Sequence, residues 1–184
     1  MFQKIEQSRV FDGDFIKVEK VRYGSDSGSV IEREYIMHPG AVTVVPVDEQ
    51  GRVYGLWQFR AALGREIFEV CAGKRDVVGE DPAITAAREL KEELGIVASE
   101  ILHLGSFYNS PGFCDERTEM YLARGLTQSS PSPQSVEESA MRIASFELAR
   151  TPKLVAEGVI TDGKSIVSLL SAFMYLHGAG SIGG

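Results

Sequence analysis

Short β-branched and apolar runs fill most of the chain, and helix-period segments interrupt them only in the middle and near the end. Residues 15–23 and 29–37 read as two β runs split by Gly24-Ser25-Asp26-Ser27-Gly28, a hairpin with a loose loop. Residues 41–47 and 53–59, joined through Asp48-Glu49-Gln50-Gly51-Arg52, have the β-branched character of central strands. Residues 66–72 alternate charged and apolar up to Gly73 and predict one further strand. A helix follows: Asp81 suits the cap, Pro82 the first helical position and Gly95 the residue past the last turn. Its expected core stripe is Ala83, Ala87, Leu90 and Leu94. Strands are expected at 100–107, 117–125 and 141–146, and a Ser/Pro-rich exposed loop at 127–134. Helices are expected at 148–157 and 164–177, and a frayed tail at 178–184. Without a regular βαβ alternation or an internal repeat, the fold class is α/β or α+β with a mixed sheet.

The composition narrows the function. At 184 residues, 43% of them apolar and 24% charged, the chain suits one folded domain with room for a small appendage. A net charge of -7 argues against nucleic-acid or acidic-membrane binding through bulk charge. Apolar stretches such as 41–47 fall far short of the roughly 20 residues that span a bilayer, and no charged-then-apolar leader opens the chain. A cytoplasmic protein is expected. Cys71 and Cys114 are too few for a disulfide scaffold and lack zinc-finger spacing, so both read as reduced thiols. His38, His103 and His177 share no spacing that suggests a metal site or a triad.

On a helical wheel Glu89, Glu92 and Glu93 share one sector, well around from the core stripe. Like charges at these spacings repel by a few tenths of a kcal/mol per pair, unless a cation neutralises them. A solvated acidic surface is the plain reading of such a face. Magnesium is the natural alternative, because it takes hard oxygen ligands, keeps several waters and is completed by substrate phosphates. Arg88, beside this face, can orient a carboxylate or soften the repulsion.

The wider string decides between the two readings. Gly73-Lys-Arg-Asp-Val-Val-Gly-Glu80, seven intervening residues, then Arg88-Glu89-Leu90-Lys91-Glu92-Glu93-Leu94-Gly95-Ile96 resembles the Nudix box, and from Glu80 to Ile96 every specified position agrees. One departure is that six residues, rather than the usual five, separate Gly73 from Glu80. Such an insertion leaves the 89–93 face in place but can reshape the backbone at Ala72 and Gly73. The resemblance implies a Nudix-fold α/β/α sandwich that hydrolyses a nucleoside diphosphate linked to another moiety. It implies Glu89 and Glu93 as metal ligands, Glu92 as ligand to or support for a further metal, and the Ala72 carbonyl as another ligand, with Mg²⁺, or Mn²⁺, as cofactor.

Segments outside the box are similar to the ADP-ribose pyrophosphatase subgroup. They are Arg33-Glu34, His38-Pro39-Gly40-Ala41-Val42, Gln58-Phe59-Arg60, Glu69-Val70-Cys71-Ala72-Gly73, Ser110-Pro111-Gly112-Phe113 and Gly158-Val159-Ile160-Thr161-Asp162-Gly163-Lys164-Ser165. The resemblance implies that ADP-ribose, or a similar nucleoside diphosphate sugar, is cleaved to AMP and a sugar phosphate. Arg33 and Arg60 would grip the diphosphate or terminal ribose through paired guanidinium donors, with Pro111 lining the substrate site. Glu69 would bond a ribose or act as an outer metal ligand, or else be an ordinary exposed strand residue. The general base would be Glu137 or Glu138 on a mobile acidic loop, with Glu116 as rival. The subgroup also implies a homodimer that exchanges its N-terminal strands, so that Arg33 serves the neighbouring site. Residues 1–40 would be the exchanged element, 41–177 the hydrolase domain and 178–184 a flexible tail. A GDP-sugar, a flavin dinucleotide or NADH remains open as substrate, as does a nucleotide sensor without activity.

Overall fold

The computed structural model describes residues 1–130 and 140–178. They form two compact units, Met1–Gly40 with Tyr108–Arg117, and Ala41–Phe107 with Thr118–Gly184.

In the first unit β1 (Phe2–Asp12), β2 (Lys17–Ser25) and β3 (Val30–Met37) form an antiparallel sheet in that order. The hairpin expected from residue 15 onward is therefore its second and third strands. β1 is invisible to a pattern reading because all its residues are exposed and no apolar alternation marks it. Arg9 on β1 donates through Nε to Glu19 at 2.7 Å and through Nη1 to Asp12 at 2.9 Å, which gives the buried Glu19 its partner. Segment 108–117 joins this sheet where the Ile36 N–H donates to the Phe113 carbonyl at 2.7 Å and the His38 N–H to Asp115 Oδ1 at 2.7 Å.

The second unit runs through β4 (Ala41–Pro46), β5 (Arg52–Arg60), β6 (Arg65–Glu69), β7 (Cys71–Lys74), α1 (Pro82–Leu94), β8 (Ile96–Tyr108), β9 (Arg117–Gln128) and β10 (Arg142–Glu147). A 3₁₀ turn (Leu148–Arg150), α2 (Thr151–Ala156) and α3 (Gly163–Gly178) complete it. One sheet has the order β7-β4-β9-β8, mixed because β4 is parallel to β9 and antiparallel to β7. The other has the order β10-β5-β6 and is antiparallel. Every residue of β4 is buried, as a strand covered on both faces requires. Val42 and Val44 pack with Ala86, Leu90 and Leu94 of α1, while Val45 packs with Leu169 and Ala172 of α3. Alternate β4 side chains point to opposite faces, so α1 and α3 cover opposite sides and the unit is an α/β/α sandwich around a mixed sheet.

Helix α1 starts where the Asp81 carboxylate accepts the Ala83 N–H at 2.8 Å and stops where Gly95 turns left-handed at φ 62°. Its core stripe differs from the expected one in one register position: Ala86 is fully buried and Ala87 is exposed. With Leu90 and Leu94 the stripe runs at i+4 spacing from Ala86, which turns Ala87 a further 100° away from the sheet. The single strand expected at 66–72 is two strands in different sheets. Val70 separates them, donating its N–H at 2.9 Å to Ser165 Oγ on α3. Thr127 and Gln128, expected in a loop, complete β9; residues 131–134 of that loop and 179–184 of the tail lie outside the described residues.

Two buried serines fix α3. Asp162 Oδ2 accepts from the Ser165 N–H at 2.8 Å and hydroxyl at 2.7 Å, and Ser168 shares a 2.8 Å hydrogen bond with Thr43 of β4. Thr43 and Ser168 are both fully buried, so neither hydroxyl can turn to water if the other is lost. Ser168→Ala should therefore cost about 1–3 kcal/mol in urea unfolding, and adding Thr43→Val should recover most of that loss. Additive losses in the double variant would show that the hydrogen bond is not the source.

Candidate active site

Helix α1 lies against β7, and its acidic face meets the strand backbone at Ala72 and Gly73. Both residues stay in antiparallel register with β4, Ala72 opposite Thr43 and Gly73 opposite Val42. The Ala72 N–H donates to Glu93 Oε2 at 3.2 Å. Gly73 leaves room for this approach: a Cβ there would collide with the Glu89 side chain unless its carboxylate moved. This pairing continues to Lys74, opposite Ala41, before the chain leaves the strand toward Glu80. There the Glu80 N–H closes a turn on the Val77 carbonyl at 3.1 Å, Gly79 adopts φ 81° and Val78 stands fully in solvent.

Arg88 is the cation within this acidic group. Its Nη1 lies 2.8 Å from Glu89 and 3.0 Å from Glu92, and Nη2 lies 3.5 Å from Glu80 and 3.9 Å from Asp76. The Nη2 distances are those of charge pairing, and Nη2 and Nε make no hydrogen bond. Burial works against the Arg88 charge, but Glu89, Glu92 and Glu80 outweigh it and hold the guanidinium above its ordinary pKa. Glu80 is in turn held by Thr85, a buried residue of α1 whose hydroxyl donates to it at 2.7 Å. Glu89 has the opposite problem. Burial, and to a lesser degree the Glu92 charge, raise its pKa to about 7 against the opposing pull of Arg88. Positive charge arriving beside such a carboxylate lowers its pKa and favours the ionised form at neutral pH. Cys71, fully buried beneath the site, has its thiol pushed well up by desolvation and then by the charge of Glu93, which leaves it an inert neutral thiol.

The third group belongs to the same unit. Glu69 at the end of β6 is 1% exposed, which removes the exposed-strand reading, and both of its oxygens are taken by Arg60, Nε at 2.6 Å and Nη2 at 2.5 Å. Hydrogen bonding to Glu69, then the charges of Asp162 and Glu93, raise the Arg60 pKa against desolvation. Sequence reading assigned no role to Asp162, Glu80 or Thr85; their only signal was membership of the quoted motifs.

In the first unit Arg33 and Pro111 line one open cavity of about 540 Å³, together with Tyr23, Tyr35, Tyr108 and Asp115. Arg33 itself is exposed and donates to the Glu32 carbonyl at 2.7 Å. Glu116 is half-buried there and its carbonyl accepts the Asn109 N–H at 3.2 Å. Glu137 and Glu138 lie outside the described residues. Of the aromatics, Trp57 packs edge-on against Phe68 in the core at 5.9 Å, while Phe59 and Phe113 are more than half exposed. Among the described residues no three His, Cys, Asp or Glu side chains converge as a formed metal cluster, and no helix is long and apolar enough to cross a membrane.

A sandwich that sets a carboxylate-bearing helix against a strand backbone offers hard oxygen donors at one place on the fold. The chain belongs to the NUDIX domain family, whose pattern matches residues 37–163. It is 33% identical over 170 residues to an ADP-ribose pyrophosphatase of Mycobacterium tuberculosis (strain ATCC 25618 / H37Rv), covering 92% of this chain and 82% of that one. It is also 33% identical over 165 residues to an ADP-ribose pyrophosphatase of Bacillus subtilis (strain 168), covering 90% of this chain and 89% of the other. Its fold is shared with a crystal structure of an ADP compounds hydrolase, with a TM-score of 0.84 at 19% identity over 98% of this chain and 97% of that one. Hydrolases of this family work with divalent metals.

The donor set fits such an ion. Glu89, Glu92 and Glu93 offer hard oxygens, added positive charge would favour the ionised form of Glu89, and Gly73 leaves space for its carboxylate against the strand. Gly73→Ala must push that carboxylate aside. It should weaken Mn²⁺ binding, measured by titration calorimetry, by about tenfold or more, with the circular dichroism spectrum retained. Parental Mn²⁺ affinity in this variant would mean that Glu89 is not part of the cation site.

Proposed function

We propose that this protein hydrolyses the diphosphate of ADP-ribose, or of a closely similar nucleoside diphosphate sugar, to AMP and ribose 5-phosphate with Mg²⁺. The observation that carries the reading is the Glu89, Glu92 and Glu93 face held against Ala72 and Gly73, in a chain one-third identical to two ADP-ribose pyrophosphatases over at least 90% of its length. Glu89 and Glu93 are the cation ligands, Glu92 ligates or supports a further ion, and the Ala72 carbonyl is an additional oxygen ligand. A divalent ion held there supplies charge to polarise the diphosphate and to acidify a bound water.

The protein's own groups do the rest. Arg88 balances Glu89 and Glu92 until a cation takes over that charge, so the face does not fly apart when empty. Arg60 receives phosphate oxygens, for which a planar guanidinium offers paired donors, and Arg33, on the exchanged element, serves the neighbouring site of the dimer. Glu137 or Glu138 is the general base, with Glu116 the rival candidate. The protein acts as a homodimer that exchanges residues 1–40. The exposed Phe2, Ile5, Phe11 and Phe15, each at least half exposed in the single chain, support a partner for this sheet. Free Cys71 and Cys114 suit a reducing, cytoplasmic setting.

The test is product analysis after incubation with ADP-ribose and Mg²⁺. AMP and ribose 5-phosphate should appear, and Glu93→Gln should lower kcat by about a hundredfold or more, because metal-borne charge stabilisation is worth several kcal/mol. Cleavage of GDP-mannose, FAD or NADH in preference to ADP-ribose would move the substrate assignment. Nucleotide binding without any release of AMP would identify a sensor instead.

A further inference from the structure

Glu69 does not fit the roles that its motif suggests. A carboxylate that is 1% exposed, with one oxygen on Arg60 Nε at 2.6 Å and the other on Nη2 at 2.5 Å, faces the arginine and presents almost no surface to a ribose or a metal-bound water. A stability role explains it poorly, since an apolar pair of similar volume generally serves a fold as well as a buried ion pair or better. The pair is also asymmetric, because the Arg60 side chain remains 42% exposed while its partner is sealed in.

We propose that Glu69 is a positioning residue that holds the Arg60 guanidinium in one orientation for the phosphate of a nucleoside diphosphate. This rests on the hydrolase reading above and sharpens it. Glu69 takes the Nε edge of the fork, which leaves the Nη1 donors outside this contact, on a side chain that is 42% exposed. An unheld arginine gives up its rotamer freedom when it binds; a held one has already given it up on folding, so the anion binds more tightly. Glu69 also decides among competitors. Arg60 feels the charges of Asp162 and Glu93 as well, and Glu93 belongs to the acidic face. Asp162 is tied down by its two hydrogen bonds from Ser165. With Glu69 neutralised, Glu93 becomes the attractive partner, and Arg60 would then discharge a cation ligand instead of meeting the substrate.

The test compares Glu69→Gln, Arg60→Lys, Arg60→Ala and the Glu69→Gln/Arg60→Ala pair. The readouts are KM and kcat for ADP-ribose with Mg²⁺ and, independently of turnover, the Kd of ADP by calorimetry. Glu69→Gln should raise KM and the ADP Kd by about tenfold while kcat changes by no more than about twofold. Arg60→Lys, which keeps the charge and loses the fork, should match Arg60→Ala. In the Arg60→Ala background Glu69→Gln should change neither constant further. A parental KM in Glu69→Gln, losses that multiply in the pair, or an Arg60→Lys enzyme with parental KM would each overturn the positioning role. If Glu69→Gln fails to fold, the Arg60→Lys result decides alone, since that side chain sits at the exposed end. A parent that binds ADP but leaves ADP-ribose intact overturns the hydrolase reading, and the ADP affinities still decide the role of Glu69.

Discussion

The rest of the molecule is arranged around an unfavourable concentration of negative charge. Glu89, Glu92 and Glu93 project from little more than one turn of α1, with Glu80 and Asp76 close by, and the Arg88 guanidinium stands among them. On a free helix this arrangement repels itself and costs helicity. It persists because α1 is fixed by terms that ignore charge: the Asp81 cap, the left-handed Gly95 stop and the burial of Ala86, Leu90 and Leu94. The core face holds the helix so that the adjoining acidic face can remain electrostatically unsatisfied. That separation is what makes a cation site possible, because the affinity for an incoming ion comes from the repulsion it relieves.

Strand β7 supplies the other wall. Its two middle residues carry almost no side chain, and their backbone is pinned by β4, so the carboxylates meet peptide groups in fixed positions. Strand β4 is itself clamped on its other side by Thr43 and Ser168, and α3 reaches across to Val70 through Ser165. The break between β6 and β7 is thereby part of the site. It lets Glu69 end one sheet while Ala72 and Gly73 enter the other, three residues further on.

What could be read in the sequence was what is written locally. The start and stop of α1 depend on Asp81, Pro82 and Gly95 alone, and the acidic face on spacing alone, so both were legible. The fold class followed from the mixture of strand and helix runs, and the sandwich arrangement from the family resemblance. The shift from Ala87 to Ala86 was not legible, because two adjacent alanines are indistinguishable until the sheet selects one. β1 was hidden for a related reason: a strand with both faces in solvent has no period to detect. The division of 66–72 depends on Ser165, almost a hundred residues away, and no window along the chain contains that contact.

The Arg60–Glu69 pair was legible as two residues and illegible as one unit. A motif names which side chains recur, but not which of them touch ligand and which touch each other. Burial decides it: in an acidic chain that must admit an anion, a carboxylate at the substrate would repel it, whereas one sealed at 1% exposure behind an arginine leaves that arginine's outer edge available. The pair gives the arginine a fixed direction, and the residual positive charge presented to a phosphate is then governed by how firmly Glu69, rather than Glu93, holds the fork. The same guanidinium chemistry appears at Arg88 with the opposite outcome. That residue is shared among several carboxylates and fully committed to none, so its grip on Glu89 and Glu92 can be released to a cation. One arginine is held in a single direction and the other is shared among several carboxylates, and the difference lies in a buried bidentate contact.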